Sequence, residues 1–286
     1  MAQIVGVHGI GWAWKSRAGM HDLWQAALRE GLENIRSPHA AELSFATAFY
    51  GHLYNAPSGK AGGEPGYGPG DVAAGLEYDL LEAMAEAAPG EAGGAGALSG
   101  TAGAEAVTKG WPARGTQAFL SALEGTPFLG SLTASGIIRM LKQVHRYFED
   151  PVLRKEVRAE VAAALGPETR VVVAHSLGSV AAYETLWEHR GSRIGTFVTL
   201  GSPLGLAAIR RRLAPTGTPP GLPPSVDRWV NVAAEHDVVA LNKRLRGPYG
   251  EEVVDEPVVT PRLRFHDCTR YLSNVKTAHA VAAALG

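Results

Sequence analysis

Val171-Val172-Val173-Ala174-His175-Ser176-Leu177-Gly178-Ser179 is the stretch on which the reading of this chain turns. Three consecutive β-branched residues make a short strand that is apolar on both faces, the pattern of a central strand in a parallel sheet. A serine follows between two small residues, Ala174 and Gly178, and Val180 to Trp187 then reads as a helix. Strand, tight turn with serine at its tip, and helix match the G-x-S-x-G elbow, with alanine in the first glycine position. A serine in such a turn is held in a strained backbone conformation that lifts its hydroxyl clear of the strand end. Strand and helix pass close to each other on either side, so only small side chains fit two residues away. The helix aims free N–H groups at the turn, which places the Leu177 N–H where developing negative charge would be met. The competing reading is an ordinary strand-to-helix turn that contains a serine.

Length and composition set the frame. The 286 residues are 45% hydrophobic and 19% charged, enough for one large α/β domain with an insertion or for two small domains. A formal net charge of −1 argues against a nucleic-acid partner or an anionic membrane surface. No apolar stretch approaches the ~20 residues of a membrane span, so no integral membrane association is expected. The single cysteine, Cys268, allows no internal disulfide and reads as a packed thiol. With no secretory h-region at the start, a cytoplasmic location is the expectation. The ten histidines are scattered without H-E-x-x-H spacing, so neither a metal nor another cofactor is expected.

Strand-like and helix-like segments alternate along the chain. Ile4-Val5-Gly6-Val7 reads as a first strand and runs into His8-Gly9-Ile10-Gly11-Trp12, where glycines allow a tight turn. His21 to Leu32 reads as a helix and Leu43 to Tyr50 as a second strand. Residues 51–150 read as a largely helical insertion before the central strand, with helices at 72–88, 116–123 and 137–148. Its two glycine-rich pieces, 56–70 and 89–104, read as loops. A further helix is expected at 152–165. After the elbow, strands are expected at 195–200, 228–234 and 257–265, and a closing helix at 275–285. The expected fold is α/β, with a mostly parallel central sheet and helices on both faces. Residues 1–50 and 151–286 form its core, 51–150 form a cap or lid, and the site lies at the carboxyl ends of the strands.

Serine needs a neighbouring base to take its proton, and a third group to orient that base. Four histidines follow Ser176. His189 ends the elbow's own helix, about three turns away. His236 shares a loop with a strong acid candidate. His266 directly follows the last expected strand, where a base should stand, and is favoured. His279 falls mid-helix and remains the alternative. Asp237, just past a strand, is the candidate acid, with Glu235 as the near alternative. Asp227 precedes its strand, at the wrong end of the sheet, and Asp267 adjoins His266. For the second oxyanion donor, beside the Leu177 N–H, the turn after the first strand offers the N–H of Ile10. Trp12 and Trp14 follow that turn and are candidates either for lining an acyl pocket or for anchoring the loop.

These motifs (Val7-His8-Gly9-Ile10-Gly11, Ala174-His175-Ser176-Leu177-Gly178, Leu200-Gly201-Ser202-Pro203, then Asp237 and a late histidine) resemble the α/β-hydrolase superfamily. Within it the chain is similar to bacterial lipase- and esterase-like serine hydrolases. The resemblance implies the α/β-hydrolase fold and oxyanion donation from Ile10. It also implies a catalytic histidine followed by Tyr-Leu and a closing helix, which fits His266 with Tyr271-Leu272. It covers the first fifty residues and roughly residues 168–286, and leaves 51–150 unmatched. The function expected is a serine hydrolase acting on a small-molecule carboxylic ester or thioester through an acyl-enzyme on Ser176. Two other readings stand beside it. The same acyl-enzyme could pass to an alcohol or amine, as an acyltransferase or cyclase does, or the fold could bind a ligand without turnover.

Overall fold

The structure is a computed structural model that describes residues 2–13, 15–55, 66–87, 116–120, 133–260 and 266–286. Six strands form one sheet: β1 Ile4–Val7, β2 Phe45–Ala48, β3 Val171–His175, β4 Ile194–Leu200, β5 Val226–Ala234 and β6 Val253–Val258. Their spatial order is β2-β1-β3-β4-β5-β6, and every adjacent pair is parallel. The helices are α1 Arg17–Asn34, α2 Leu76–Ala87, α3 Ala134–Glu149, α4 Pro151–Ala164, α5 Leu177–Glu188, the short α6 Ala207–Arg210 and α7 Arg246–Tyr249, then α8 Cys268–Leu272 and α9 Val275–Leu285. Residues 116–120 form a further helical turn. The class is α/β.

The triple valine explains the layering. All residues of β3 are buried. Val172 and Ala174 belong to the apolar cluster on one face, with α2 to α5, while Val171 and Val173 belong to the other, with α1, α8 and α9. A strand between two helical layers must be apolar at every position, because successive side chains point to opposite faces. β1 pairs with β3 from Ile4↔Val171 to Val7↔Ala174, so the turns after both strands end side by side.

Several boundaries differ from the sequence reading. β2 is shorter than 43–50, and α2 begins at Leu76 rather than at 72. Among the described residues the last strand is Val253–Val258, which begins before the expected start at 257. The expected range opens at Pro257, which lies inside the strand, opposite Ala233. An edge strand accepts proline because its outward N–H has no ladder partner to lose. Residues 261–265, Trp14, residues 121–123 of one expected helix and most of both glycine-rich pieces lie outside the described residues.

Two buried carboxylates fasten the helices of the first face. Glu184 on α5 is fully buried and takes hydrogen bonds from Tyr147 on α3 (2.7 Å), Arg154 on α4 (Nε, 3.0 Å) and the Ala214 N–H (3.0 Å). Glu77 on α2 is equally buried, and accepts from Lys142 on α3 at 2.8 Å and from the Ala73 N–H at 2.8 Å. A buried carboxyl group needs donors for its oxygens, and these donors tie the helices together. Leu80, Met84, Ile137 and Leu141, from the two insertion helices α2 and α3, join the same apolar cluster as Val172 and Leu177. Among the described residues, no helix is long and apolar enough to cross a membrane.

Candidate active site

Ser176 stands between the end of β3 and the start of α5, with φ 54° and ψ −132°. A positive φ is costly for a residue with a Cβ, and persists only where the surroundings enforce it. Here they do. The Ser176 N–H donates to Leu200 O at 3.0 Å, and its carbonyl accepts from the Ser179 hydroxyl at 2.6 Å. Ser179 and Ser202 share a further hydroxyl–hydroxyl bond of 2.6 Å. The turn is thus held from β4 and from its own helix. The close approach expected at Gly178 is present: a Cβ there would lie 2.1 Å from His8 O and 2.6 Å from Val7 O. At Gly9 a Cβ would lie 2.7 Å from the Ser176 Cβ.

His266 and Asp237 meet as a pair. His266 Nδ1 and Asp237 Oδ2 are 2.8 Å apart, and Asp237 is fully buried. The other carboxylate oxygen accepts from the N–H groups of Val239 (2.9 Å) and Ala240 (3.2 Å). The Tyr271 hydroxyl donates to Oδ2 at 2.7 Å, and itself accepts from the Ala234 N–H at 2.9 Å. A carboxylate only accepts, so Nδ1 of His266 carries the proton and Nε2 is left as the basic nitrogen of the neutral ring. Gly201, at φ 52°, stands so close that a Cβ would come within 2.7 Å of Asp237 Oδ2 and 3.1 Å of His266 Nδ1. Both the conformation and the space require glycine.

The alternatives are placed differently. His279 is exposed on α9, and Glu235 is exposed at the end of β5. Asp227 is paired with Arg193 at the opposite end of the sheet. Asp267 accepts from the Thr269 N–H and hydroxyl, capping α8. His189 follows the last residue of α5.

The turn after β1 is set by His8. Its Nε2 accepts from the Tyr50 N–H at 3.0 Å, so its Nδ1 must be the donor to Gly9 O, at 2.6 Å. The Tyr50 hydroxyl donates to His8 O. In a planar trans peptide, C=O and N–H point in opposite directions. By holding the Gly9 carbonyl, His8 therefore fixes the direction of the Ile10 N–H. Gly11, at φ 84°, completes the turn, and its N–H donates to Gln143 Oε1 of α3 at 3.3 Å.

Two cavities meet at Ser176 and Ile10. One is a narrow apolar slot of about 30 Å³, walled by Leu80, Met84, Met140, Leu141 and Val144 of the insertion helices and by Leu177, Leu206 and Ile209 of the core. The other is a polar cleft of about 250 Å³ that holds Trp12, Lys15, His175, His266 and Asp267. Trp12 lies in the cleft and not in the slot, with the Lys15 ammonium 4.5 Å from its ring centre. Trp14 lies outside the described residues. The most spacious of these cavities, about 350 Å³ beside Tyr183, Trp187 and the 213–220 loop, contains none of Ser176, Asp237 and His266, so volume alone does not mark the site.

No known protein family, curated protein or solved structure matches the chain.

Among the described residues no group of three or more His, Cys, Asp or Glu is placed to hold a metal ion. Burial pushes the Cys268 thiol well above its ordinary range, so it keeps its proton. The sequence reading missed four features. Tyr271 entered it only through the resemblance, without its bond to Asp237. His8 and His175 stand within the quoted motifs without a role of their own in the sequence. The slot walls on α2 and α3 had only the apolar periodicity of the insertion helices to announce them.

Two buried imidazoles give the site a pH signature. Burial pushes His8 down to about 3, and pushes His175 well below its ordinary value. In the unfolded chain both take up protons below about pH 6.5. Folded, they stay neutral. The unfolded state then binds more protons, so stability is lost as pH falls from about 6.5 towards about 3. Urea unfolding is expected to show a loss of up to about 1.4 kcal/mol per pH unit for each ring between pH 6 and 5, before most carboxylates titrate. A midpoint that is flat over that interval would mean that both rings are charged in the native protein.

Proposed function

We propose that this chain is a serine hydrolase of the α/β-hydrolase type that cleaves an ester or thioester of an apolar acyl group. The observation that carries the reading is the convergence at one cleft. A serine at φ 54° and an imidazole bonded at 2.8 Å to a fully buried carboxylate line the same cavity, although Ser176 and His266 are far apart in sequence. Each part has a task. Ser176 Oγ attacks the acyl carbon, and its proton passes to His266 Nε2. Asp237 holds the ring in the required tautomer and offsets the imidazolium charge. The carbonyl oxygen, now negative, is met by the N–H groups of Ile10 and Leu177. Collapse expels the leaving group, which takes the proton from His266 and leaves an acyl-enzyme. Water then repeats the sequence, returning the acid and the free serine.

The two cavities support a division of the substrate. The acyl chain takes the apolar slot, and the leaving group takes the polar cleft. A slot this narrow suits a single extended chain better than a ring. With α2 and α3 forming its outer wall, the insertion acts as the cap on the acyl side of a core made by residues 1–50 and 151–286.

The test is labelling of the folded protein with a fluorophosphonate, followed by peptide mapping. Modification at Ser176 is expected, lost in His266→Ala and kept in His279→Ala. Folded wild type that stays unlabelled would overturn the reading and leave a ligand-binding protein in its place.

A further inference from the structure

His175 immediately precedes Ser176 and is buried. Its Nε2 lies 3.1 Å from the main-chain oxygen of His266, and its ring centre lies 4.5 Å from that of His266. A carbonyl oxygen only accepts, so Nε2 of His175 carries the proton and donates it. The strand that ends in the nucleophile therefore also grips the backbone of the residue paired with Asp237. We propose that His175 is a positioning residue for the base: it holds the His266 main chain so that the imidazole stays on Asp237 while it gains and loses a proton. The proposal rests on the serine hydrolase reading above.

The surroundings fit this task. Trp24 of α1 meets the His175 ring edge-on at 6.5 Å between centres, and Tyr271 of α8 lies 6.0 Å away, so the ring is wedged from both elements. The titratable groups that face it are His266 and Tyr271, with His8 contributing from the neighbouring turn. Burial first, and the charge of His266 second, oppose protonation of His175. A neutral ring matters here. A second imidazolium beside His266 would repel the charge that His266 must accept during each half-reaction. The two histidines thus divide the work by environment. The one against Asp237 is paired with a carboxylate, and the one under the strand end is kept neutral by burial. His266 follows residues 261–265 in the chain, so a contact from a rigid sheet strand fixes it independently of how those residues run.

The experiment compares wild type, His175→Phe and His175→Gln. Each is first titrated with the fluorophosphonate and checked for thermal unfolding. kcat/KM for a p-nitrophenyl acyl ester is then followed against pH. Phenylalanine keeps the ring and removes the donor, while glutamine keeps a donor. His175→Phe is expected to lose about 30- to 100-fold in kcat/KM per labelled site, the scale of a misplaced catalytic group. Its acid limb should also move to lower pH, because a loosened His266 is held less firmly by Asp237 and gives up its proton more readily. Glutamine should restore most of the rate and the original limb. Wild type should show a single-proton acid limb, since His175 stays neutral through it.

Mere destabilisation would lower the number of active sites and leave the limb in place. A His175→Phe enzyme within about threefold of wild type and with an unmoved limb overturns the proposal. So does a two-proton limb in wild type, which needs no variant to fold. Failure of wild type to label at Ser176 would instead sink the hydrolase reading, and the two failures are therefore distinguishable.

Discussion

Asp237→Asn is expected to lower kcat/KM for an acyl ester by about 10⁴-fold while the protein remains folded. The reason lies in how the carboxylate is held. Oδ1 accepts from two backbone N–H groups, Val239 and Ala240. An asparagine here must keep its oxygen on that side, because its NH₂ would face two donors. The NH₂ is then forced into the place of Oδ2, opposite His266 Nδ1 and the Tyr271 hydroxyl. It donates to Nδ1, so the imidazole must move its proton to Nε2. That tautomer cannot take a proton from Ser176. The substitution thus leaves every atom near its place and reverses the polarity of one hydrogen bond. Tyr271 loses its acceptor at the same time, which should cost about 1–3 kcal/mol of stability. Steady-state kinetics beside a urea melt separates the two effects. A loss of less than about tenfold would mean that Asp237 does not set the tautomer.

Gly178→Ala should have the largest effect on stability. A Cβ at this position would lie 2.1, 2.6 and 2.7 Å from His8 O, Val7 O and His8 C. All three are backbone atoms at the end of β1, so no side-chain rotation relieves the clash. α5 would have to withdraw from the sheet, at a cost of about 3 kcal/mol or more. The same motion would pull Ser176 and the Leu177 N–H away from the turn that carries Ile10. A fitting control is Ala181→Gly in the same helix, which loses helix propensity and one buried methyl group and should cost about 2 kcal/mol. An unfolding midpoint for Gly178→Ala no lower than that of the control would show that α5 and β1 are free to slide apart.

The contrast between these positions explains what the sequence could disclose. Val171–Val173 announced a strand covered on both faces, because two-sided burial leaves no polar position. Ala174 and Gly178 announced a close crossing, because their small size has no other use around a serine. His279 could be set apart from His266 because its surroundings read as the middle of a helix, which α9 is. Contacts between distant segments left no such trace. The Tyr271 hydroxyl on Asp237 and the His175 ring on the His266 carbonyl join residues 34 and 91 positions apart. Neither end carries a local pattern that names its partner. The start of β6 was not legible for a related reason: proline breaks a central strand and is harmless on an edge strand, and only the strand order says which applies. The slot was invisible because an apolar stripe on α2 or α3 looks the same whether it packs on a core or faces a gap beside one.

The slot's ownership has a consequence for how such a protein can diversify. Its outer wall comes from Leu80, Met84, Met140, Leu141 and Val144, while Ser176 and Asp237 follow β3 and β5 and His266 stands before α8. On the proposed function, much of the acyl preference is then written in a different part of the chain from the reacting groups. Substitutions on those two helices would lengthen, shorten or reshape the slot while leaving Ser176, Asp237 and His266 unchanged. One catalytic framework could in this way serve a succession of substrates, with the insertion as the interchangeable part.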